Sequence, residues 1–492
     1  MTRGLRPWLA ALLLAVPAGV GAQPAAAPGF SWTASFRTRA EGWDWFGSGS
    51  DGRYAYSGSL LRAGITWQGS GVLLRAEAAA PMLLGLPADA LTPAPAGALG
   101  LGAVYYGAND VRRDVASAFL KNAWVQVGRA SGHRLRVGRM EFADGAEATP
   151  ASPTLAAVKR DRVAQRLLGP FGWSHVGRSF DGVLYGYSRG RSNLALLGAR
   201  ATRGAFDTKG WDGLEVGVGY ASLTVAGPWD PGRSDLRLFG LYYRDDRRLP
   251  KVDSRPAAVR SADSTEVSFT VLGGHVLQEF ATRAGTVDLL GWGAIQAGDW
   301  GRQSHLAWSA AIEAGIQPAI LPALQPWLRA GVHRASGDAD PGDDRHGTWL
   351  PVLPTPRIYA RHPFYTTMNL DEVFASLLLR PDPALTLRSD LRAIRLAERN
   401  DLWYAGGGAF EPGTFGYTGR PGGNARDLAT TLDLGAEWKT APWITLTGYA
   451  AHAGGGEVVR STWGDSINGA FGYLEVDLRY GAPTPSASAP LR

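Results

Sequence analysis

The sequence predicts an all-β protein: a transmembrane antiparallel β-barrel of about 18 strands that follows a cleaved signal peptide. Three observations point to this fold class: an export signal at the N-terminus, many segments in which apolar and polar residues alternate, and connections whose lengths fall into two sets. Lipid-spanning strands need only about ten alternating residues each, so such proteins have near-neutral overall hydropathy. The mean hydropathy of this chain, −0.11, agrees with that class.

The composition excludes several classes of protein. Of the 492 residues, 45% are apolar and 19% are charged, whereas disordered chains combine low apolar content with high net charge. The absence of cysteine excludes a disulfide scaffold, thiolate zinc sites, iron–sulfur clusters and cysteine nucleophiles. The net charge is +6 and the basic residues are scattered singly, so the charge pattern of a nucleic-acid-binding protein is missing.

The first residues have the pattern of a signal peptide. Arg3 and Arg6 precede a short apolar stretch, and Val20-Gly21-Ala22 offers the small-x-small site that signal peptidase accepts. We predict cleavage before Gln23; the alternative is a buried N-terminal helix. Loss of the two arginines lowers the formal charge from +6 to +4. The predicted layout is a signal peptide over residues 1–22, an outer-membrane barrel over 23–480 and a flexible C-terminal tail over 481–492.

Alternation marks the strands. In the first segment Phe30 and Trp32 take one face and Arg37 the other, and in the last segment Leu474 opposes Glu475. Beyond the signal, no run of 18 or more apolar residues predicts a membrane helix. The predicted strands lie near residues 30–44, 58–67, 72–80, 119–128, 134–142, 180–188, 193–200, 214–226, 235–244, 265–280, 286–297, 306–316, 326–335, 369–379, 384–396, 428–438, 443–452 and 469–480.

The connections distinguish a membrane barrel from a soluble sandwich, which also alternates. Short connections such as residues 380–383 and 439–442 contain Pro and suit tight turns. They alternate with long ones rich in Gly, Pro, Asp and Arg, except at one ambiguous pair, 298–305 and 317–325. The long connections lie at residues 81–118, 143–179, 245–264, 336–368 and 397–427. Short turns at one rim and long loops at the other are typical of outer-membrane barrels, with the short set in the periplasm.

Aromatic residues near the predicted strand ends suggest interfacial girdles, although ordinary core or loop positions explain any single one equally well. Their positions are Trp43, Trp45, Tyr242, Tyr243, Trp327, Trp403, Trp443 and Tyr480.

Several motifs resemble a known family, the alginate-export porins of Gram-negative outer membranes. They are Val137-Gly138-Arg139-Met140-Glu141-Phe142, Gln165-Arg166-Leu167-Leu168-Gly169, Arg178-Ser179-Phe180-Asp181-Gly182, Ala335-Ser336-Gly337-Asp338 running into Asp340-Pro341, and Asp401-Leu402-Trp403-Tyr404. The resemblance extends over nearly the whole mature chain. It implies an eighteen-stranded monomeric barrel whose arginine-lined constriction passes an anionic uronate polysaccharide, with Arg166 and Arg178 reaching the pore from their loop.

The alternation itself predicts a charged lumen. Bases dominate the inward face of the early strands and acids that of the last three, so closure places an acidic sector beside the basic first strands. A guanidinium grips a carboxylate through two hydrogen bonds, so a basic constriction favours anions. The alternative is a solvated ladder of arginines, paired with lumen acids, that selects nothing. The residues that alternation predicts to line the solute path are Arg37, Arg39, Arg62, Arg75, Arg136, Arg329, Arg388 and Arg392. The family resemblance adds Arg166 and Arg178 from their loop, for which the alternative is an exposed loop charge. Other predicted inward charges are Arg134, Arg479, Glu41, Glu77, Glu313, Asp390, Asp433, Glu437, Glu475 and Asp477.

One acidic segment has oxygen ligands at a spacing reminiscent of calcium loops: Asp338, Asp340 and Asp343, with Asp344 beside them. The alternative is a solvated outer loop, and the more specific hypothesis is calcium that bridges to lipopolysaccharide. No other cofactor is predicted.

Catalysis has little support. The chain has no H-E-x-x-H motif, its eight histidines lack ligand spacing, and Ser174 and His175 are chain neighbours rather than a demonstrated nucleophile and base.

We therefore predict a passive outer-membrane channel for an anionic saccharide and not an enzyme. The first alternative is a general or small-solute porin, and the second is an outer-membrane hydrolase that acts on lipid or polysaccharide. The predicted partners are an anionic saccharide or similar solute, the lipid bilayer with lipopolysaccharide, and periplasmic export proteins, but not nucleic acid.

Overall fold

The computed structural model describes residues 29–128, 131–465 and 467–481. The predicted signal peptide and all but the first residue of the predicted tail lie outside the described residues. Within them, eighteen long strands and four short ones are present. The long strands are β1 (Gly29–Asp44), β2 (Arg53–Gly69), β3 (Val72–Leu84), β5 (Phe119–Gly128), β6 (Gly132–Met140), β7 (Phe180–Arg189), β8 (Ser192–Thr202), β9 (Gly213–Ala226), β10 (Ser234–Asp245), β11 (Val267–Thr282), β12 (Gly285–Trp300), β13 (Gln303–Pro318), β14 (Trp327–Ala335), β16 (Leu370–Asp382), β17 (Leu385–Leu396), β20 (Asp427–Ala441), β21 (Ile444–Gly455) and β22 (Asn468–Gly481). The short strands are β4 (Val115–Ala116), β15 (Arg345–His346), β18 (Leu402–Gly406) and β19 (Tyr417–Pro421).

The long strands close into a barrel. Each pairs antiparallel with the long strand before it and the one after it, and β1 also pairs with β22, where Arg39 lies opposite Glu475. Backbone groups are therefore satisfied around the whole circumference, which is what allows a sheet to stand in lipid. The predicted eighteen-strand barrel is confirmed. Strand β5 has the predicted bounds, whereas β2 begins five residues earlier than predicted, at Arg53 rather than 58.

Burial alternates along the strands as the period of two requires. In β14, Leu328 and Val332 are exposed on the outer face while Arg329 and His333 are buried in the interior. The outward apolar face includes Phe30 on β1, which is 79% exposed in the isolated chain. These side chains face hydrocarbon, and charged groups such as Arg329 face the lumen.

The connections form two rims of different character. Turns between β2 and β3, β7 and β8, β11 and β12, or β16 and β17 have two residues each, whereas the opposite rim carries the long loops 85–118, 141–179, 246–266, 336–369 and 397–426. The ambiguous pair is now assigned: residues 301–302 join β12 to β13 at the loop rim, and residues 319–326 join β13 to β14 at the turn rim. The long-loop rim faces the outside of the cell in barrels of this kind.

The long loops fold into the barrel and share one apolar core with its inner wall. They carry the helices Leu101–Ala108, Pro153–Val158 and Ala257–Ala262, the π-helix Lys159–Val163 and the 3-10 helix Pro356–Ile358. The helix Glu457–Trp463 lies in the shorter connection between β21 and β22. Among the described helices, none is both long and apolar enough to span a bilayer.

The predicted girdle is only partly correct. Tyr242 and Trp443 are exposed on the barrel surface, and Trp443 stacks on Tyr480 with ring centroids 5.4 Å apart. Trp45 and Trp403 instead stack on each other inside the barrel, at 6.3 Å, and the remaining aromatics of the predicted set, Trp43, Tyr243 and Trp327, are also buried. The reason is that these side chains pack under the inward-folded loops, where burial of a large aromatic ring stabilises the core.

Candidate pore constriction

The loop between β6 and β7, residues 141–179, is here termed the constriction loop. Its helix begins at Pro153 because Ser152 caps it: Ser152 Oγ accepts a hydrogen bond from the Leu155 amide at 3.1 Å. Ser152 Oγ also donates to Glu279 of β11, which fixes the start of the helix to the wall. The chain continues as the π-helix Lys159–Val163 and carries Arg162 into the interior.

One buried carboxylate holds three arginines together. Glu313 of β13 accepts hydrogen bonds from Arg162 Nε to Oε2 at 2.9 Å and from Arg162 Nη2 to Oε1 at 2.8 Å. Arg329 Nη1 of β14 lies 3.2 Å from Glu313 Oε2, and Arg166 Nη2 lies 3.6 Å from Oε1. Arg166 is oriented by two hydrogen bonds to the Arg162 carbonyl oxygen, at 3.0 and 2.9 Å. The loop is thus attached to the wall by a bidentate ion pair.

A second carboxylate gathers three more arginines on the adjacent wall. Asp390 of β17 accepts from Arg388 Nε at 2.7 Å, and Arg361 Nε, from the loop 336–369, lies 3.7 Å away. Arg392 Nη2 lies 3.9 Å from Asp390 Oδ1, and Arg392 Nη1 contacts Glu372 of β16. These side chains project into the lumen from neighbouring strands and from an inward-folded loop.

Together these side chains form what we term the arginine cluster. Its six guanidinium groups belong to Arg162, Arg166, Arg329, Arg361, Arg388 and Arg392, and they face the five carboxyl groups of Asp288, Glu313, Glu372, Asp390 and Asp433. Four buried donors of the cluster have no hydrogen-bond partner among the described residues: Arg162 Nη1, Arg361 Nε, and Nε and Nη2 of Arg392. A cavity of about 30 Å³ opens between Arg162, Arg329 and Arg388. The cluster therefore has one more base than acid and holds unpaired donors.

Predicted arginines of the first strands also lie inside the barrel, where two of them hold the end of the constriction loop. Arg39 pairs with Glu475 at 2.6 Å and its guanidinium lies 4.2 Å from the Trp173 ring centroid. Arg37 donates to the carbonyl oxygens of Gly172, at 2.7 Å, and Ser174. Closure therefore brings the acidic last strand against the basic first strand, as the sequence predicted.

The remaining predicted arginines of this wall differ in their pairing. Arg62 and Arg75 both contact Glu77. Arg136 donates to Gln126 Oε1 at 2.7 Å and stacks on Trp124 at 4.0 Å, and no carboxylate lies within ion-pair distance of it in the described part of the chain. Its charge adds to the positive potential of the lumen without direct neutralisation.

Arg178, which the family resemblance places at the pore, is completely buried between loops. Its guanidinium donates to four carbonyl oxygens, those of Gly169 (3.3 Å), Leu353 (2.9 Å), Gly407 (2.9 Å) and Ala409 (3.1 Å). It therefore joins the constriction loop to the loops 336–369 and 397–426. Contact of Arg178 with a solute stays a prediction.

Sequence reasoning missed Arg162 and Arg361. Both lie in loops, where no alternation shows which side chains turn inward. The only local signals are the cap at Ser152 and Pro153, which marks a helix in the constriction loop, and the concentration of bases in residues 159–162.

Burial changes the titration of groups on the loops. It lowers the pKa of His175 to about 4; the Glu41 carboxylate, 3.0 Å from Nε2, only partly offsets it. Burial likewise raises the pKa of Asp144 in the constriction loop to about 6, although Arg237 opposes the shift. For Arg162, burial lowers the pKa and the Glu313 carboxylate more than compensates, so the net shift is upward.

The acidic segment of the loop 336–369 is held by its own backbone. Asp340 Oδ1 accepts from the Gly342 amide at 3.0 Å and Asp343 Oδ1 from the Arg345 amide at 2.9 Å, while Asp338 is buried beside Ser254. Among the described residues, no group of three or more His, Asp or Glu side chains is arranged to hold a metal ion. Calcium binding at Asp338, Asp340 and Asp343 stays a prediction of the sequence.

Two segments with a superficial likeness to hydrolase motifs have other surroundings. Ser174 Oγ accepts from the Gly177 amide at 2.8 Å and the neighbouring His175 ring contacts Glu41 instead of the serine. Residues 186–190 read G-Y-S-R-G, but they end β7 and lead through a turn into β8, not into the helix of a nucleophile elbow.

Comparison with known families decides the identity of the chain. The sequence profile of a family described as alginate export matches residues 88–473, well over half of the chain. The chain belongs to the alginate export family. This family and the barrel fold place the protein in the outer membrane of a Gram-negative bacterium as a channel, a class whose members are not enzymes. A comparison with curated protein sequences gave no significant match.

Solved structures confirm the fold. The outer-membrane protein OpdK of Pseudomonas aeruginosa is 9% identical with a TM-score of 0.55, covering 92% of this chain and 99% of that chain. OccK9 (OpdG) of Pseudomonas aeruginosa is 10% identical with a TM-score of 0.57, covering 92% and 98%. OccAB4 of Acinetobacter baumannii is 9% identical with a TM-score of 0.54, covering 92% and 98%. The likeness at these identities is one of fold, and the solute of this alginate export protein must be argued from its own lumen.

Proposed function

We propose that this member of the alginate export family passes an anionic, carboxylate-bearing saccharide down its gradient and that the arginine cluster selects it. The observation that carries the proposal is the gathering of six guanidinium groups, from neighbouring strands and two inward-folded loops, on one side of the lumen. A planar guanidinium matches a carboxylate in two parallel hydrogen bonds, so adjacent arginines suit a chain of uronate groups.

The ion pairs of the cluster do not remove this capacity. Glu313 and Asp390 hold the guanidinium groups in fixed positions, which lowers the entropic cost of binding a solute. Each guanidinium has five N–H donors, and the donors without partners on Arg162, Arg361 and Arg392 are buried, so a shift of the constriction loop would expose them to an incoming carboxylate. The cavity between the arginines is smaller than a saccharide unit, so passage requires the constriction loop to shift.

The ligands of two structural neighbours favour the same chemistry. One solved structure is of OccK2 (OpdF) of Pseudomonas aeruginosa in complex with glucuronate, at 9% identity and a TM-score of 0.54. Another is of OpdK of the same species with vanillate, at 9% identity and a TM-score of 0.55. Both ligands are carboxylates. We extend this property to the present chain as part of the proposal, together with a monomeric barrel and periplasmic proteins that deliver the solute.

The test measures selectivity in planar bilayers and uptake into liposomes. We expect the full-length protein to give a reversal potential of anion-selective sign in a KCl gradient. The variants Arg361→Gln and Arg388→Gln, which change the two most accessible members of the cluster, should reduce the flux of oligouronates more than that of neutral sugars of equal length. The matched control is Arg53→Gln, an exposed arginine at the start of β2 that pairs with Asp44, the last residue of β1, at the loop rim.

Each other outcome identifies an alternative. Equal reduction for uronates and neutral sugars indicates a general or small-solute porin. Cation selectivity of the wild-type channel contradicts the role of the arginine cluster. Hydrolysis of lipid or polysaccharide by the purified protein, abolished by one serine or histidine change, would indicate an enzyme.

A further inference from the structure

A separate set of arginines lies on the outer surface of the barrel at the loop rim. Arg334 is near the end of β14, Arg395 is near the end of β17, and Arg426 immediately precedes β20. Their side chains are 49%, 60% and 37% exposed. The neighbouring residue His333 is buried in the lumen, so alternation turns Arg334 outward. We term these three residues the rim arginines.

The rim arginines form one connected group with two acids. Asp371 of β16 lies 3.3 Å from Arg334 Nε and 3.0 Å from Arg426 Nη2. Arg395 lies opposite Asp371 in the register of β16 and β17, and its Nε is 2.7 Å from Asp427. Three guanidinium groups against two carboxylates leave one net positive charge. Since each guanidinium has five N–H donors, most of them remain available on the exposed side.

An apolar strip lies directly on the membrane side of this group. Val332, Val373 and Leu391 are 49%, 59% and 52% exposed on the same strands. Val332 precedes Arg334 by two residues, and Val373 follows Asp371 by two, so the same outward face changes from apolar to charged within one alternation step. The rim arginines therefore lie where the hydrocarbon of the outer leaflet ends.

We propose that the rim arginines bind the phosphate groups of lipopolysaccharide, with its acyl chains lying over the apolar strip. Guanidinium groups bind phosphate in bidentate geometry, and a phosphate next to several acyl chains is the chemistry of lipid A. The site lies outside the channel and is independent of the transported solute.

Charge complementarity selects this sector of the barrel. Around β6 to β11 the outward charges at the same rim are Arg139, Arg200 and Arg244 against Asp181, Glu215, Asp246 and Glu266. Four acids against three bases give that sector a net negative charge, which repels phosphate. The sector from β14 to β20 has the opposite balance.

The test titrates the purified full-length protein, in detergent with EDTA, with bisphosphorylated lipid A and follows the bound fraction by native mass spectrometry. EDTA removes divalent cations that could bridge phosphate to acids. The triple variant Arg334→Gln, Arg395→Gln, Arg426→Gln should bind lipid A at least about tenfold more weakly, because each surface arginine near an anionic headgroup contributes to the attraction. The matched control is Arg200→Gln, an outward arginine of the acidic sector.

A second variant of opposite sign keeps the test decisive if the triple variant does not fold. Asp371→Asn together with Asp427→Asn removes two repelling carboxylates and should tighten lipid A binding. Wild-type affinity in the triple variant, an equal loss in Arg200→Gln, or weaker binding after removal of the two acids overturns the proposal. An equal effect of the triple variant on phosphatidylglycerol would show that any anionic lipid suffices and would overturn the assignment to lipopolysaccharide.

Discussion

The charge balance of the arginine cluster can be tested most sharply by neutralising Glu313. This carboxylate is buried on β13 and contacts Arg162, Arg329 and Arg166 within 2.8 to 3.6 Å. Glu313→Gln keeps the size of the side chain and one carbonyl acceptor but removes a negative charge. The balance changes from six bases against five acids to six against four, so the lumen beside the constriction loop becomes more positive.

The expected effect on selectivity follows from Coulomb's law. A unit charge about 6 Å from a permeating ion in water contributes about 0.7 kcal/mol. Such an energy raises the local anion concentration about threefold and lowers that of cations by a similar factor at low salt. In a planar bilayer with a KCl gradient, the reversal potential of Glu313→Gln should therefore move toward that of a chloride-selective channel. The shift should shrink as the salt approaches 1 M, where the Debye length falls to about 3 Å.

The same substitution carries a cost in stability that must be separated from the effect on selectivity. Removing one partner of a buried ion pair costs about 3–5 kcal/mol, because the remaining charges lose their compensation. Retention of the fold is checked by the heat-dependent migration of the barrel in gels. The control is Asp44→Asn, an exposed acid paired with Arg53. An unchanged reversal potential in folded Glu313→Gln, or an equal shift in the control, would falsify the assignment of the cluster to the ion path.

Three further changes test the loops and the outer surface. In Arg178→Lys, the lysine side chain cannot reach all four loop carbonyl oxygens, and each buried group left unpaired costs about 1–3 kcal/mol. The loops that Arg178 joins should therefore be cleaved faster by a protease, while the barrel stays folded. The pKa of His175 is about 4 in the folded protein, below its ordinary value of 6.5, so the unfolded chain takes up the proton first as the pH falls. The free energy of unfolding should therefore decrease by about 3 kcal/mol as the pH drops from about 6.5 to 4. Thermal unfolding of His175→Gln should lack this pH-dependent loss of stability. Leu474→Arg places a charge on the lipid face and should cost about 2–4 kcal/mol in denaturant unfolding, whereas Leu91→Arg, at an exposed position of the loop 85–118, should cost little.

The barrel was predictable because strand geometry imposes a period of two on the sequence. Phe30 and Leu474 had to face lipid once Arg37 and Glu475 were assigned to water, since one face of every lipid-spanning strand meets hydrocarbon. Strand ends were less predictable. The start of β2 was missed because Tyr54 and Tyr56 both turn toward the inner core under the loops, which gives no contrast between an apolar and a polar face.

The arrangement of the loops was not predictable from local sequence. Trp45 and Trp403 are far apart in the chain, yet they stack inside the barrel because two loops fold inward over the same space. Likewise, no feature of the local sequence around Arg178 shows that its guanidinium donates to four backbone carbonyls of three loop segments. The sequence of a loop shows no regular alternation of apolar and polar residues, so the direction of its side chains depends on which groups of other segments lie beside them.

The charge distribution shows why an inventory of inward bases could not by itself predict selectivity. Closure puts β22 beside β1, and this converts an apparent basic sector into the ion pair of Arg39 with Glu475. A solute interacts with the net charge at one level of the lumen, which is the number of bases minus the number of acids there, and with the N–H donors that the acids leave without a partner. That net charge is set at the arginine cluster by three loop residues, Arg162, Arg166 and Arg361, so the proposed selectivity depends on how the loops fold and not on the strand pattern alone.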